Sequence, residues 1–153
     1  MNEKQSDLVS NRRASFNYEI LETFEAGIIL QGTEIKSLRD HGGALQDAYV
    51  KIIKNELWLV GCSISPYRFG SFNNHEERRD RKLLMHKREI ARLKTASQDK
   101  GCAIIPLCMY LKGGRVKVKI AKAKGKKAHD KRDAIKERDG QRRVQQAMKS
   151  YEL

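Results

Sequence analysis

Cysteine is scarce in this 153-residue chain: Cys62, Cys102 and Cys108 form an odd set with no C-x-x-C spacing. That argues against a disulfide framework and a zinc site, and the three read as buried thiols in a reducing compartment. Long apolar runs are missing as well. The longest nearly unbroken one, Cys102 to Leu111, has ten residues with Pro106 inside, well short of the roughly 20 that a membrane-crossing helix requires. The opening residues, Met1-Asn2-Glu3-Lys4-Gln5, lack the apolar stretch of a secretory signal, so a cytoplasmic location with no membrane partner is expected. Catalytic signatures are absent too, with no G-x-S-x-G, H-E-x-x-H or G-x-x-x-x-G-K-[ST]. His41, His75, His86 and His129 stand in no recognisable acid–base spacing. No enzyme, cofactor or metal is expected. Acidic residues are the minority sign, 19 Asp and Glu against 32 Lys and Arg, which gives a net charge of +13.

That charge is placed rather than spread. From Lys112 to Leu153 there are 15 Lys and Arg against 5 Asp and Glu, a local +10 that leaves only +3 for residues 1 to 111. It begins in a strand pattern in which Arg115, Lys117 and Lys119 alternate with Val116, Val118 and Ile120. It continues through Lys122, Lys124, Lys126, Lys127, Lys131 and Arg132. An exposed lysine face on a half-buried strand explains six residues of alternation, but a cationic ribbon this long suits a polyanion, and phosphate attraction would supply much of the affinity. His129 within the ribbon can stack on a base as well as meet a phosphate, which favours RNA.

The rest of the chain suits one domain. Residues 1 to 14 carry no apolar period and are expected to form a mobile arm unless a partner fixes Asn11, Arg12 and Arg13. Period-two spacing begins at Phe16, Tyr18 and Ile20 and runs to Leu30, bent near Gly27. Thr33 stands where an N-cap belongs, with Ile35 and Leu38 a turn apart and Gly42-Gly43 as the stop, which predicts a short helix. Strands follow over Ala48 to Ile53 and Leu57 to Ile64, joined at Lys54-Asn55. Phe69 to Asp80, which holds His75, reads as a long exposed loop. Leu83 to Ser97 reads as a second helix, and Gly113-Gly114 as the turn between strands Cys102 to Leu111 and Arg115 to Ala121. The expected fold is mainly β, a small closed antiparallel barrel over residues 15 to 128 with two or three flanking helices. In the basic tail, residues 129 to 153, apolar side chains (Ile135, Val144, Met148, Tyr151) are too few to bury a face, so disorder when free and helix on a partner are expected.

Four segments in register resemble one family, the SsrA-binding proteins, also called small protein B. They are Phe24 to Arg39, Ile64-Ser65-Pro66-Tyr67, Arg81 to Ile90 and Gly125 to Arg132. The resemblance implies an oligonucleotide-binding (OB)-like barrel in a bacterial RNA-binding protein of trans-translation. Such proteins bind the tRNA-like domain of transfer-messenger RNA, and assist its alanylation and its delivery with elongation factor Tu. They bring it to ribosomes stalled without a codon in the A site, for rescue and peptide tagging. The resemblance further implies RNA contacts at Asn11, Tyr18, Glu25 and Leu84, with phosphate contacts from Lys126 and Lys127. It places His129, Asp130, Lys131 and Arg132 at the decoding site against small-subunit rRNA and Met148 in the mRNA channel, where the tail becomes helical. The implied partners are that RNA, the ribosome and, through the RNA complex, elongation factor Tu and alanyl-tRNA synthetase, met by a monomer. Where the family commonly reads Gly-Lys-x-Asn-Leu, this chain has His41-Gly42-Gly43-Ala44-Leu45, and Glu77 replaces a usual Pro. Composition alone also fits another single-domain rRNA-binding ribosomal or assembly protein.

Overall fold

The computed structural model describes residues 7–70 and 74–126. A short strand β1 (Asp7–Ser10) and a one-turn helix α1 (Ala14–Asn17) lead into the long strand β2 (Tyr18–Ile28). Helix α2 (Gly32–Arg39), strands β3 (Gly43–Ala44), β4 (Tyr49–Ile53), β5 (Glu56–Val60), β6 (Ser63–Ile64) and β7 (Arg81–Leu84), and helix α3 (Lys87–Ser97) follow. The long pair β8 (Cys102–Lys112) and β9 (Arg115–Gly125) completes the domain. Seven strands form one antiparallel sheet in the order β1-β8-β9-β2-β7-β5-β4, and β3 pairs with β6. Mainly β architecture is therefore correct. The ladder does not close, since β1 and β4 stand at its two ends. β4 nevertheless approaches β8, leaving a groove between them.

Local chemistry explains the turns. Ile53 pairs with Glu56 and Lys112 with Arg115, so each hairpin has a two-residue loop. Lys54, Asn55, Gly113 and Gly114 all have positive φ, the primed-turn geometry that follows the twist of the flanking strands. Gly43 has a different reason to be glycine: a Cβ there would lie 2.5 Å from Val9 Cγ2 and 2.6 Å from Leu38 Cδ2.

The core lies on the inward face, where Val116, Val118 and Ile120 of β9 meet Leu57 and Leu59 of β5, Leu83, Met109, Leu38 and Leu93. Burying each such side chain contributes about 1.5–3 kcal/mol. Irregularities at Ile20/Glu22 in β2 and at Pro106/Cys108 in β8 shift the register against β9, turning the following side chains to the opposite face. Ile105, Ala123 and Ala14 thereby form a second small core, with Tyr18 and Ile20 packed on it.

Further expectations are corrected. Residues 7 to 10 are not part of a mobile arm: β1 pairs with β8 and buries Val9, a pairing to residues about 100 positions away that no local period reveals. The helix expected from Leu83 divides at Met85 and His86, because Arg81 and Leu83 alternate inward between β2 and β5. And α2 begins at Gly32 with Gln31 at the cap, its side chain and that of Glu34 forming a reciprocal capping box, so Thr33 is free for another task.

That task is part of a polar clamp. His75, expected in an exposed loop, is buried, with Nε2 2.8 Å from the Ile64 carbonyl and Nδ1 2.9 Å from Thr33 Oγ1. The carbonyl can only accept, so Nε2 carries the proton and the Thr33 hydroxyl donates to Nδ1. Glu34 is fully buried and accepts from Arg81 Nε and from Arg79, while the Gln31 N–H donates to it at 2.8 Å. Arg81, also fully buried, donates to the Cys62 carbonyl at 2.8 Å and the Glu77 carbonyl at 3.2 Å. Ser37 donates to the Ser65 carbonyl at 2.6 Å. Among the described residues no buried side-chain polar atom lacks a partner. Burial also pushes the Cys62 thiol up to about 11, so it stays protonated and inert.

Candidate nucleic-acid interface

The sheet's outward face carries the cations that the alternation foretold. Arg115 and Lys119 are exposed and Lys117 half-buried, while Val116, Val118 and Ile120 point inward. Arg115, Lys119 and Lys124 enter no ion pair among the described residues; Lys122 is held by Asp99 at 2.6 Å.

Cross-strand register brings Glu25 and Leu84 to this face. Glu25 lies opposite Lys119, and Gly27 lies between Lys117 on one side and Leu84 on the other. The Tyr110 hydroxyl donates to Glu25 Oε2 and Lys112 Nζ sits 3.2 Å from Oε1. The hydrogen bond from Tyr110 lowers the Glu25 carboxyl from its ordinary value against the opposing effect of burial, with lesser help from Lys112 and Lys117. Burial, and then the same contact, push the Tyr110 hydroxyl up. An ionised carboxylate is thus fixed within a cationic row. Leu84 is half-exposed beside it, with Ile29 equally open. Tyr110 and Lys112 were not singled out from sequence; a tyrosine inside an otherwise apolar strand, whose hydroxyl needs a polar partner, was the available signal.

Asn11, Arg13, Tyr18 and Lys126 gather at the other end of β2, on a groove of about 810 Å³ between β4 and β8. The Asn11 side-chain amide donates to the Pro106 carbonyl at 3.0 Å and its backbone N–H to Leu107 at 2.8 Å, so this asparagine also ties the exit of β1 to β8. Tyr18 is half-buried, paired with Gly125 and packed on the second core. Lys126 Nζ donates to the Ser15 carbonyl at 2.8 Å. Arg12 lies outside that groove, in a neighbouring one of about 590 Å³ shared with Arg13 and His41. Lys127, His129, Asp130, Lys131, Arg132 and Met148 lie outside the described residues. No group of three or more His, Cys, Asp or Glu placed to hold a metal occurs among the described residues.

A seven-stranded antiparallel sheet with a cationic outward face, a seated carboxylate and an apolar step beside it defines a class: small mainly β proteins built to meet a polyanion along one face. Residues 8–150 match the family model described as SmpB protein, and the chain belongs to that family. It is 68% identical over 152 residues to the SsrA-binding protein of Protochlamydia amoebophila (strain UWE25), covering 99% of both chains. It is 59% identical over 145 residues to that of Chlamydia caviae, covering 95% of this chain and 97% of the relative. A solved structure described as "tmRNA-SmpB: a journey to the center of the bacterial ribosome" contains a similar chain, with TM-score 0.68 and 44% identity, over 82% of this chain and 92% of that one. No helix among the described residues is long and apolar enough to cross a membrane.

Proposed function

We propose that the protein binds the tRNA-like domain of SsrA RNA, the transfer-messenger RNA, and carries it to stalled bacterial ribosomes for trans-translation. The observation that carries this reading is the gathering of Arg115, Lys117 and Lys119 with Glu25 and Leu84 on one sheet face. Membership of the SmpB family supports it. Cations along β9 attract phosphates, and Leu84 offers a dry contact to a sugar or base. Glu25 accepts from a base amino group or a 2′-OH and repels a misplaced phosphate. In this reading Asn11, Arg12, Arg13 and Tyr18 extend the face. The curled sheet is an OB-like barrel whose seam is the β4–β8 groove. Residues 129 to 153 act as a separate tail at the decoding site and channel. Elongation factor Tu and alanyl-tRNA synthetase are met through the RNA, by a monomer in the cytosol, and the protein performs no chemistry itself.

RNA recovered with the protein from lysate and sequenced tests the reading. One dominant transfer-messenger species is expected; a mixture of ribosomal RNAs would instead favour an rRNA-binding ribosomal or assembly protein.

Affinity should depend steeply on salt, because each phosphate contact releases a counterion. With about six contacts the slope of log K against log salt is expected near −5. Titrations at several salt concentrations measure it, and a slope near zero removes the electrostatic account. Lys126→Ala with Lys127→Ala should flatten the slope and weaken many RNAs alike.

Glu25→Ala should do the opposite of a lost cation. It raises the net charge and frees Lys112, so affinity for random RNA should hold or rise. Affinity for the cognate RNA should fall about tenfold, as expected when a hydrogen bond to a charged acceptor is removed. Equal changes for cognate and random RNA of the same length would reduce Glu25 to surface charge.

A further inference from the structure

We infer that the RNA track does not end at Arg13 but continues along the rim to a stacking platform at Tyr67 and Phe69, where an unpaired base of the same SsrA RNA docks. The inference rests on the RNA-binding reading above and adds a subsite to it.

Continuity is the first ground. The β4–β8 groove that holds Tyr18 and Lys126 shares Asn11, Arg13 and Gln46 with its neighbour. That neighbour shares His41 with a third groove, of about 410 Å³, lined by Arg39, Tyr67 and Arg68. Three depressions therefore join wall to wall from the foot of β2 to the C-terminal end of α2.

Chemistry at the far end is the second ground. The Tyr67 and Phe69 rings meet edge to face with centroids 5.6 Å apart. Lys36 Nζ lies 5.7 Å from the Tyr67 centroid and the Arg68 guanidinium 4.7 Å from that of Phe69. Phe69 is 72% exposed, the most open of the large apolar side chains among the described residues. An aromatic left this open costs solvation, and exposed aromatics interleaved with Lys and Arg are what binds unpaired nucleotides: rings take the base, cations take its phosphates. Charge complements that occupant, since Arg39 and Arg68 line the third groove with a single carboxylate, Asp40, and Lys36 stands over the Tyr67 ring at its edge.

The platform is also held in place from below. Asn74 donates to the Tyr67 carbonyl at 2.9 Å and accepts its N–H at 3.2 Å, while Ser37 fixes the Ser65 carbonyl. Rings supported on a tethered backbone lose little freedom when a base arrives. His41, the residue that the second and third grooves share, has a φ of 60°.

Binding of transfer-messenger RNA to the full-length protein, in the absence of ribosomes, tests this with Phe69→Ala and with Arg39→Glu combined with Arg68→Glu. These side chains are exposed and outside the core, and unchanged melting confirms that each variant is folded. Each variant should bind the RNA about tenfold more weakly, in line with loss of one stacked base or of two phosphate contacts. Ultraviolet crosslinking should attach one unpaired nucleotide of that RNA to the segment Tyr67 to Phe69. Unchanged affinity and no crosslink, with wild-type protein binding normally, overturns the platform and leaves the main face standing. A defect seen only on ribosomes also overturns it, by assigning the rings to ribosomal RNA. Failure of wild-type protein to bind the RNA overturns the functional reading itself.

Discussion

Glu34→Ala should be among the most destabilising single substitutions in this domain, lowering the unfolding free energy by about 3–5 kcal/mol. Glu34 and Arg81 are both fully buried, and removing the carboxylate strands a guanidinium that cannot reach water. Arg79 reaches Glu34 from a partly exposed position, so it can turn outward and recover hydration; Arg81 cannot. For a domain of this size a loss of that order shifts the midpoint of thermal melting by roughly 10 °C, which calorimetry or circular dichroism reads directly. A shift of only a degree or two would show that the pair is held in place by its surroundings rather than holding them.

Acid should have the same effect by titration. Burial alone would raise the Glu34 carboxyl, but hydrogen bonds from Arg79, the Gln31 N–H and Arg81 outweigh it and hold the carboxyl below its ordinary value of 4.5. A carboxyl depressed in the folded state contributes stability that is fully present above the unfolded value and lost as pH falls through the folded one. Wild-type protein should therefore lose this contribution below about pH 4.5, and the Glu34→Ala variant should show a shallower acid transition.

Truncation after His129 should separate binding from rescue. β9 ends at Gly125, and the Lys126 N–H is already bonded to the Asn17 carbonyl, so the described ladder is complete before the cut. The shortened protein should melt with the full-length chain and bind transfer-messenger RNA within about twofold. Peptide tagging on stalled ribosomes should fall to background, since with no codon to read, the tail is what occupies the decoding site in the proposed role. Full tagging by the truncated chain would remove that role and leave the RNA-binding face intact.

The face was legible in sequence because alternation is a two-residue signal: Arg115 to Ile120 fixes which side chains point out whatever the strand pairs with. The two-residue hairpins were legible for a similarly local reason. β1 was not, since only Val9 of its four residues is buried, and its partner lies across nearly the whole chain. The strand Arg81 to Leu84 was missed, its last two residues taken into a helix, because Leu83 fits either period over so short a stretch. The clamp escaped because Glu34, His75 and Arg81 are residues ordinarily found in water, and only their three-dimensional convergence makes them core. One trace was present: Gln31 and Glu34 stand at capping-box spacing, which a Thr33 cap obscured. Nor could single residues have shown that three grooves join; that is a property of the surface.

The pairing of β1 with β8 and of β2 with β9 also orders events in time. Among the described strands, the first two to be made have as partners the last two. At about 5–20 residues per second, roughly 5–20 s pass between synthesis of Val9 and of Met109. Through that interval the edge of β2 that receives β9 stays unpaired, whatever sheet forms on its other side with β7, β5 and β4. Folding is therefore expected to be essentially post-translational and, with contacts this distant in sequence, slow for a domain of its length. A protein proposed to serve stalled ribosomes thus completes this sheet only as β8 and β9 emerge from a ribosome that has not stalled.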